Sequence, residues 1–148
     1  EYNKKFMVDD VVEPIPFGKA RIAREGKDIT IVATSSMVMK SEKAAERLAK
    51  EGIDCEIIDL RTIVPLDTET IIESVKKTGK LIVADEAYER CGIGAEIGAA
   101  IADDVFYYLD APVGRVANPN VPLPFSPSLE FPLIPSEEKV YQKVLTYF

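Results

Sequence analysis

The sequence predicts an α/β fold: a three-layer αβα sandwich in which helices cover both faces of a mostly parallel, five-stranded sheet. Short runs rich in isoleucine and valine recur along the chain, and amphipathic segments of helical period separate them. The runs are almost continuously apolar, as strands covered on both faces require. The chain has 148 residues, of which 47% are apolar and 29% are charged. That length and composition are sufficient for one domain of ordinary size.

Residues 1–17 differ in character from the rest of the chain. They are polar, contain Pro14 and Pro16, and show no clear period. We predict an arm or linker over residues 1–17 and a folded domain over residues 18–148. Because the sequence begins at Glu1 rather than at a methionine, we expect the chain to be cut from a longer protein.

The first predicted elements are two strands followed by a helix. A turn around Gly26 separates the strands, and Ser35 or Ser36 carries the hydroxyl that is typical of a helix N-cap. Gly52 is the residue that we expect to end the helix. The predicted bounds are residues 20–23 and 29–34 for the strands and residues 38–51 for the helix. The buried stripe of the helix is predicted at Val38, Ala44, Ala45 and Leu48.

The middle of the chain repeats the alternation of strand and helix. Pro65 and Asp67 favour the start of a helix, and Gly79 favours its end. A second helix is expected over residues 92–108. The predicted bounds are residues 53–60 and 80–85 for the strands and residues 68–78 for the first of these helices. Buried positions are predicted at Ile71, Ile72 and Val75 in the first helix and at Ile97, Ala100, Ile101 and Val105 in the second.

The C-terminal part combines a strand, a proline-rich tract and a helix. The last strand is predicted at residues 111–117, and residues 118–135 contain six prolines. Because proline cannot donate a hydrogen bond to a sheet, we expect this tract to cross the surface as extended chain. Ser136 is expected to cap the final helix. The inward side chains of that helix are predicted at Val140, Tyr141, Val144 and Leu145.

Polar loops are expected to meet at one edge of the sheet, because the carboxyl ends of parallel strands lie together and ligands bind beyond them. The four loops are residues 34–37, 59–62, 85–94 and 117–120. The third has Gly92 and Gly94 before a helix, a pattern that occurs in phosphate-binding loops. It lacks a third glycine, and its three carboxylates against one arginine are the wrong charge for a phosphate. We therefore favour a packing role, in which the glycines allow the close approach of another backbone.

The composition excludes several kinds of chemistry. The chain has no histidine, which removes Ser–His and Cys–His nucleophilic systems and imidazole metal sites. Cys55 is predicted to be a core residue, and Cys91 is a candidate reactive thiol without a histidine to act as its base. Asp59 and Arg61 are predicted to form an ion pair that braces their loop. If the chain belongs to an enzyme, we expect much of the chemistry to lie elsewhere.

Charge and hydropathy exclude two classes of partner. The net charge is −7 and the basic residues form no runs, so we expect no nucleic acid partner. No apolar stretch approaches the roughly 20 residues that a membrane span requires, so we expect no membrane partner. The two cysteines fit a reducing compartment.

Four stretches stand out along the chain: GKARIAREGKDITIVATSSMV, GIDCEIIDLRTIVPLDTETIIESVKKTGKLIVADEA, GIGAEIGAAI and YLDAPVGRVANPNVPLPFSPSLE. Together they resemble the C-terminal domain of the transketolase superfamily. Within it, the chain looks most like the beta subunit of the thiamine-diphosphate-dependent component of pyruvate, branched-chain 2-oxo acid or acetoin dehydrogenase complexes. The resemblance extends from about Pro14 to the end of the chain, and PNVPLPFSPSLE looks closest to the acetoin type.

The resemblance implies a division of labour between domains and subunits. Beta subunits of this family have an N-terminal domain that binds the aminopyrimidine of thiamine diphosphate and carries the catalytic residues, whereas the diphosphate and Mg²⁺ bind to the alpha subunit. Residues 1–17 would then be the linker from that N-terminal domain, and this chain would contain no catalytic, cofactor-binding or metal-binding residues. The whole enzyme decarboxylates a 2-oxo acid, or cleaves acetoin, and transfers the acyl group to a lipoyl carrier.

The resemblance also implies partners. The C-terminal domain pairs with that of a second beta subunit in an α2β2 heterotetramer and offers a surface to the subunit-binding domain of a dihydrolipoyl acyltransferase. The docking candidates are Tyr147 and Phe148, on a chain whose net charge of −7 suits a basic docking domain. The subunit-interface candidates, besides the proline-rich tract, are Asp85, Glu86, Tyr88, Arg90, Gly92, Gly94 and Glu96.

Two alternatives stay open. One is the equivalent domain of another superfamily enzyme, such as a deoxyxylulose-phosphate synthase, a transketolase or a ferredoxin-linked oxidoreductase. The other is a free-standing α/β module that binds a nucleotide or another anion. The expected compartment is the cytoplasm of a prokaryotic cell, or the mitochondrial matrix in a eukaryote.

Overall fold

The computed structural model describes residues 14–148, and one sheet forms the centre of this region. The strands are Arg21–Arg24 (β1), Ile29–Ala33 (β2), Cys55–Asp59 (β3), Leu81–Tyr88 (β4) and Gly114–Asn118 (β5). They lie in the order β1-β3-β2-β4-β5. Neighbouring strands are parallel except for β1 and β3, which are antiparallel. The predicted mostly parallel, five-stranded sheet is confirmed.

Helices cover both faces of the sheet. They are Ser36–Ala49 (α1), Thr68–Thr78 (α2), Ile93–Ala100 (α3), Ala102–Val105 (α4), Pro127–Glu130 (α5) and Glu137–Leu145 (α6), with a 3₁₀ turn at Phe106–Tyr108. One apolar cluster joins α1 and α6 to the sheet, and a second joins α2, α3 and α4 to it. The three-layer arrangement is therefore confirmed. No helix in residues 14–148 is both long and apolar enough to cross a lipid bilayer.

The central strand is buried on both faces, which explains its unbroken apolar sequence. Every residue of β2 is buried. Ile29 and Ile31 enter the cluster under α1 and α6, whereas Val32 enters the cluster under α2. The predicted core residue Cys55 is also fully buried, and burial raises the pKa of its thiol to about 12.

Three of the predicted helix signals act as expected. Asp67 caps α2 by accepting a hydrogen bond from the backbone N–H of Thr70 at 3.2 Å. Gly79 ends the same helix with a φ of 70°, a left-handed conformation that glycine adopts without strain. Ser136 caps α6 by accepting from the backbone N–H of Lys139. Local sequence is sufficient at these positions because both partners lie within one helical turn.

The predicted cap of α1 is wrong. Ser35 occupies the N-cap position with a φ of 49°, and its hydroxyl makes no capping hydrogen bond. The Ser36 hydroxyl donates instead to the carboxylate of Glu86, at 2.6 Å. The Ser36 hydroxyl therefore binds a carboxylate that is distant in sequence but close in space, and it does not cap the helix.

The helix predicted over residues 92–108 is divided into α3, α4 and the 3₁₀ turn. Ile97, Ile101 and Val105 are buried at a spacing of four residues, as predicted. Ala100 is exposed, contrary to prediction, because the stripe that faces the sheet follows the four-residue spacing and passes beside it. Ile72 of α2 is half-buried rather than buried.

A buried carboxylate fastens α2 to the sheet. Glu56 of β3 is 1% exposed. Its oxygens accept hydrogen bonds from Ser74 and Lys77 of α2 and from the backbone N–H of Gly26. Burial alone raises the pKa of Glu56, but these donors outweigh it and the pKa lies below its ordinary value. The hydroxyl of Thr30, on β2, lies 2.6 Å from that of Ser74 and extends the network to the next strand.

We expect Glu56→Ala to lower the free energy of unfolding by about 2 kcal/mol, because it removes the buried acceptor that Ser74, Lys77 and the backbone N–H of Gly26 share. Urea denaturation at pH 7 measures the loss. The pKa of Glu56 is lowered in the folded state. The difference between wild type and variant is therefore complete above the unfolded-state pKa of about 4.3 and decreases as the pH falls through the folded-state pKa.

The matched control is Glu73→Ala, which removes an exposed carboxylate from the same helix. We expect that variant to stay within about 0.5 kcal/mol of wild type. Equal losses for the two variants would show that Glu56 does not fasten α2.

Candidate functional site

The candidate site is built on the carboxyl half of β4. Pairing with β2 ends at Ala84, whereas pairing with β5 is interrupted and resumes at Tyr88. β4 therefore continues three residues beyond the end at residue 85 that the sequence predicts. We call residues 85–94 the β4 loop region: it comprises this extension, a turn and the start of α3.

Two carboxylates of the β4 loop region bind the polar groups at the start of α1. Asp85 accepts a hydrogen bond from the Thr34 hydroxyl at 2.7 Å. Glu86 accepts from the Ser36 hydroxyl at 2.6 Å and from Lys40 Nζ at 2.9 Å. Each carboxylate thus has its own donors. Their position at the strand end is explained by the hydrogen bonds that attach β4 to the start of α1, rather than by a role as a catalytic acid–base pair.

The environment of Glu86 holds it in the charged form. Partial burial raises the pKa of Glu86, but the hydrogen bonds from Ser36 and Lys40 outweigh burial, and the pKa lies below its ordinary value. Lys40 also donates to the carbonyl oxygen of Pro135 at 2.9 Å. One lysine therefore connects the β4 loop region to the end of the proline-rich tract.

The opposite side of the β4 loop region is held by residues that follow or belong to β5. The Asn118 side-chain amide donates to the carbonyl oxygen of Glu86 at 2.5 Å, and the Asn120 side chain accepts from the backbone N–H of Arg90 at 2.9 Å. Arg115 donates to the carbonyl oxygen of Glu89 at 2.7 Å. Sequence reasoning identified the loop of residues 117–120 but not these three side chains. Two of them could have been found from the sequence, because Asn118 is the last residue of the strand and Asn120 lies two residues after it.

The two glycines of the loop face atoms of this same chain. A Cβ atom on Gly92 would lie 2.2 Å from the carbonyl oxygen of Tyr88, and one on Gly94 would lie 3.4 Å from the side chain of Arg115. Cys91 precedes them with a φ of 55°. The tight turn therefore requires glycine at position 92 for an intrachain reason. The predicted close approach of another backbone is therefore present at Gly92, and that backbone belongs to this same chain.

Exposed apolar side chains lie beside the loop. Tyr88, Arg90 and the nearby residues 120–122 line a shallow groove of about 420 Å³. The proline-rich tract that begins there carries further exposed apolar side chains, of which Phe125 is fully exposed. The others are Val121, Leu123, Leu129 and Phe131. An apolar surface of this extent on a folded domain is typical of a protein contact. Glu96, in the first turn of α3, is also exposed.

The docking candidates lie at the opposite ends of the strands from the β4 loop region. The Tyr147 hydroxyl donates to the carbonyl oxygen of Pro112, just before β5. Phe148 is 61% exposed, and its ring lies 4.9 Å from Nζ of Lys80, the residue that precedes β4. The C-terminus is therefore beside the amino-terminal ends of β4 and β5, whereas the β4 loop region is at their carboxyl-terminal ends.

The predicted ion pair between Asp59 and Arg61 is wrong. Asp59 pairs with Arg21 of β1 at 3.4 Å, and Arg61 contributes only its backbone N–H, at 3.2 Å from Asp59 Oδ1. The antiparallel pairing of β1 with β3 brings Arg21 opposite Asp59, which the sequence alone does not show. Within the described part of the chain, no three His, Cys, Asp or Glu side chains are arranged to hold a metal ion.

Comparison with known proteins yields one family and two kinds of relative. The model of the family "Transketolase, C-terminal domain" matches residues 18–140. Pyruvate dehydrogenase E1 component subunit beta of Rickettsia felis is 49% identical over 143 residues, which cover 97% of this chain and 44% of the relative. Acetoin:2,6-dichlorophenolindophenol oxidoreductase subunit beta of Cupriavidus necator is 50% identical over 126 residues, which cover 85% of this chain and 37% of the relative. The chain spans less than half the length of these relatives.

A solved structure agrees with these findings. It is described as "Split gene transketolase, inactive beta4 tetramer", is 27% identical in sequence, and superposes with a TM-score of 0.77. The match covers 97% of this chain and 45% of the other.

We expect Gly92→Ala to destabilise the domain by about 2 kcal/mol, because the new Cβ can be accommodated only if the backbone at residues 88–92 moves. The same change should speed amide hydrogen exchange in residues 85–92. Thermal unfolding and hydrogen-exchange mass spectrometry measure the two effects.

The control is Gly98→Ala in the middle of α3, where a Cβ meets only ordinary contact at 3.8 Å. That variant should be neutral or stabilised by up to about 1 kcal/mol, since alanine favours helix over glycine. If Gly92→Ala behaves like Gly98→Ala, the contact with the Tyr88 carbonyl does not constrain the loop.

Proposed function

The chain belongs to the transketolase C-terminal domain family, and we propose that it is the C-terminal assembly domain of the beta subunit of a thiamine-diphosphate-dependent 2-oxo acid or acetoin dehydrogenase. The names of the pyruvate dehydrogenase and acetoin oxidoreductase relatives support this proposal. The whole enzyme would decarboxylate a 2-oxo acid, or cleave acetoin, and transfer the acyl group to a lipoyl carrier. Identities of 49% and 50% to the two kinds of relative do not favour one substrate over the other.

The domain itself contributes subunit contacts rather than catalytic groups. Its richest loop region uses Asp85 and Glu86 as anchors to α1, so these side chains serve structure. The β4 loop region does not fit a diphosphate, which needs cations, because it carries three carboxylates and only one arginine, Arg90. In the proposed enzyme, thiamine diphosphate and Mg²⁺ are held by the preceding domain and by the alpha subunit. Residues 1–17, of which residues 1–13 lie outside the described region, are the proposed linker to that preceding domain.

The observation that carries the proposal is the exposed apolar surface around the β4 loop region. Tyr88 and the proline-rich tract present apolar side chains on a backbone that α1 and β5 hold in place. A pre-ordered apolar surface loses little conformational entropy when a partner covers it. We assign to this surface the contacts with a second beta subunit and with alpha subunits in an α2β2 heterotetramer.

The C-terminal surface is the proposed docking site for a second type of partner. Phe148 is exposed at the opposite edge of the sheet from the proposed subunit contacts. The net charge of −7 favours a basic partner, and the subunit-binding domain of a dihydrolipoyl acyltransferase is the partner that the proposed complex would supply. The proposed compartment is the bacterial cytoplasm, or the mitochondrial matrix, as in the relative from Dictyostelium discoideum whose name includes "mitochondrial".

Analytical ultracentrifugation of the chain tests the proposed subunit surface. We expect concentration-dependent self-association, and we expect Phe125→Asp to weaken it roughly thirtyfold, as the loss of a central apolar contact of about 2 kcal/mol implies. Tyr107→Asp is the control, since Tyr107 is equally exposed but belongs to the 3₁₀ turn. A monomeric wild-type chain, or equal effects of the two variants, would contradict the assignment of this surface.

Ligand binding separates the proposed function from the two alternatives. We expect calorimetry to detect no saturable binding of thiamine diphosphate to the isolated chain, and micromolar binding would overturn the assembly role. A free-standing anion-binding module would instead show a higher melting temperature in the presence of a nucleotide, because a ligand that binds only the native state stabilises it. The gene that contains this chain distinguishes the remaining alternative. A separate alpha gene supports the proposal, whereas one long reading frame indicates another superfamily enzyme.

A further inference from the structure

The strand β5 forms one edge of the sheet and has β4 as its only neighbouring strand in the described region. In an edge strand, about half of the backbone N–H and C=O groups point away from the sheet. Among residues 14–148, the backbone of residues 114–117 makes no hydrogen bond outside the β4 pairing. Gly114 and Val116 are buried, whereas Arg115 is exposed and Ala117 is half-buried, so the accessible part of this edge is at residues 115 and 117.

A groove follows this free edge. It has a volume of about 500 Å³ and is bounded by β5, by the end of the proline-rich tract and by α6. Val116, Ala117, Pro119 and Leu133 contribute apolar surface to it. Pro119 follows β5 directly, and one residue separates Pro112 from the start of β5. Because proline has no backbone N–H to donate, the free edge is limited to the length of β5 itself. A partner strand of about five residues would therefore fill it.

The groove carries cations although the chain as a whole is acidic. Arg115, Lys139 and Lys143 line it beside one carboxylate, that of Glu89. Arg115 lies 3.4 Å from Glu89 and is neutralised by it. Lys139 is fixed by hydrogen bonds of 2.8–3.2 Å to the carbonyl oxygens of residues 132–134. Neither lysine has a carboxylate partner in the described residues, so α6 presents an uncompensated positive wall to the groove.

We propose that the β5 edge docks an acidic, extended segment of another protein, which adds a sixth strand to the sheet. Main-chain hydrogen bonds to Arg115 and Ala117 would give affinity, and carboxylates facing Lys139 and Lys143 would give specificity. A second copy of this chain fits poorly, because its own β5 edge brings the same cations and like charges repel. The inference goes beyond the proposed function, since it concerns a surface and a partner that the assembly role does not require.

The test uses the complete chain and a blocked seven-residue peptide of alternating valine and glutamate. We expect this peptide to bind at least tenfold more tightly at low salt than a valine–lysine peptide of the same length. Binding should slow amide hydrogen exchange at residues 114–117. A third peptide carries N-methyl groups on alternate backbone nitrogens of the valine–glutamate sequence and cannot complete the ladder, so it should not bind.

Variants locate the site. Lys143→Glu should weaken binding of the valine–glutamate peptide about fivefold, because it reverses one charge on the groove wall. Lys43→Glu, which changes an exposed lysine on α1, is the matched control and should leave binding unchanged. Urea denaturation of both variants checks that they remain folded, and if Lys143→Glu is destabilised, the salt dependence of wild-type binding replaces it as the charge test.

Three results would overturn the inference. They are absence of peptide binding up to about 1 mM, equal binding of the N-methylated peptide, and equal binding of the glutamate and lysine peptides. A Kd above about 1 mM corresponds to less than about 4 kcal/mol of binding free energy. None of these results depends on self-association of the chain, so failure here is distinguishable from failure of the proposed function.

Discussion

The arrangement of the candidate site depends on the unequal lengths of neighbouring strands. β4 has eight residues, whereas β2, against which it packs, has five. The carboxyl half of β4 therefore leaves the buried part of the sheet while its backbone still needs hydrogen-bond partners. Asn118 and the end of β5 supply them on one side, and the polar start of α1 binds the Asp85 and Glu86 side chains on the other. The β4 loop region is thus an ordered projection of the sheet, which is what a protein contact surface requires.

Two carboxylates show how the same chemistry serves different purposes in this domain. Glu56 is buried, so its hydrogen bonds to α2 must all be present for the folded state to tolerate the charge. Glu86 has a side chain that is 41% exposed, so water screens its pairing with Lys40 and the pair alone contributes little. The position of the β4 loop region therefore comes from the number of its anchors and from the backbone pairing. Loss of one surface anchor is expected to loosen this region without unfolding the core.

Sequence reasoning predicted the parts of the fold that depend on local pattern. The strands β2 and β3 were identifiable because both faces are buried and apolar residues fill them, and Asp67 and Ser136 acted as caps because their partners lie within the same turn. It was wrong where a distant residue determines the outcome. Ser36 binds Glu86 rather than its own helix, and Asp59 pairs with Arg21 from another strand. The polar residues after Ala84 looked like a loop because the partners of that segment, Asn118 among them, come from β5.

The position of the candidate surfaces on the sheet has a consequence for assembly. An eight-residue strand is roughly 26 Å long, so Tyr88 at the carboxyl end of β4 lies far from the C-terminus, which is beside the amino end of that strand. Partners at the two edges therefore do not compete for the same atoms, and a subunit contact at one end leaves Phe148 accessible at the other. The distribution of charge adds to this separation. The chain as a whole is acidic, whereas Lys139 and Lys143 of α6 make the groove beside β5 locally positive, so the two proposed kinds of partner would differ in charge.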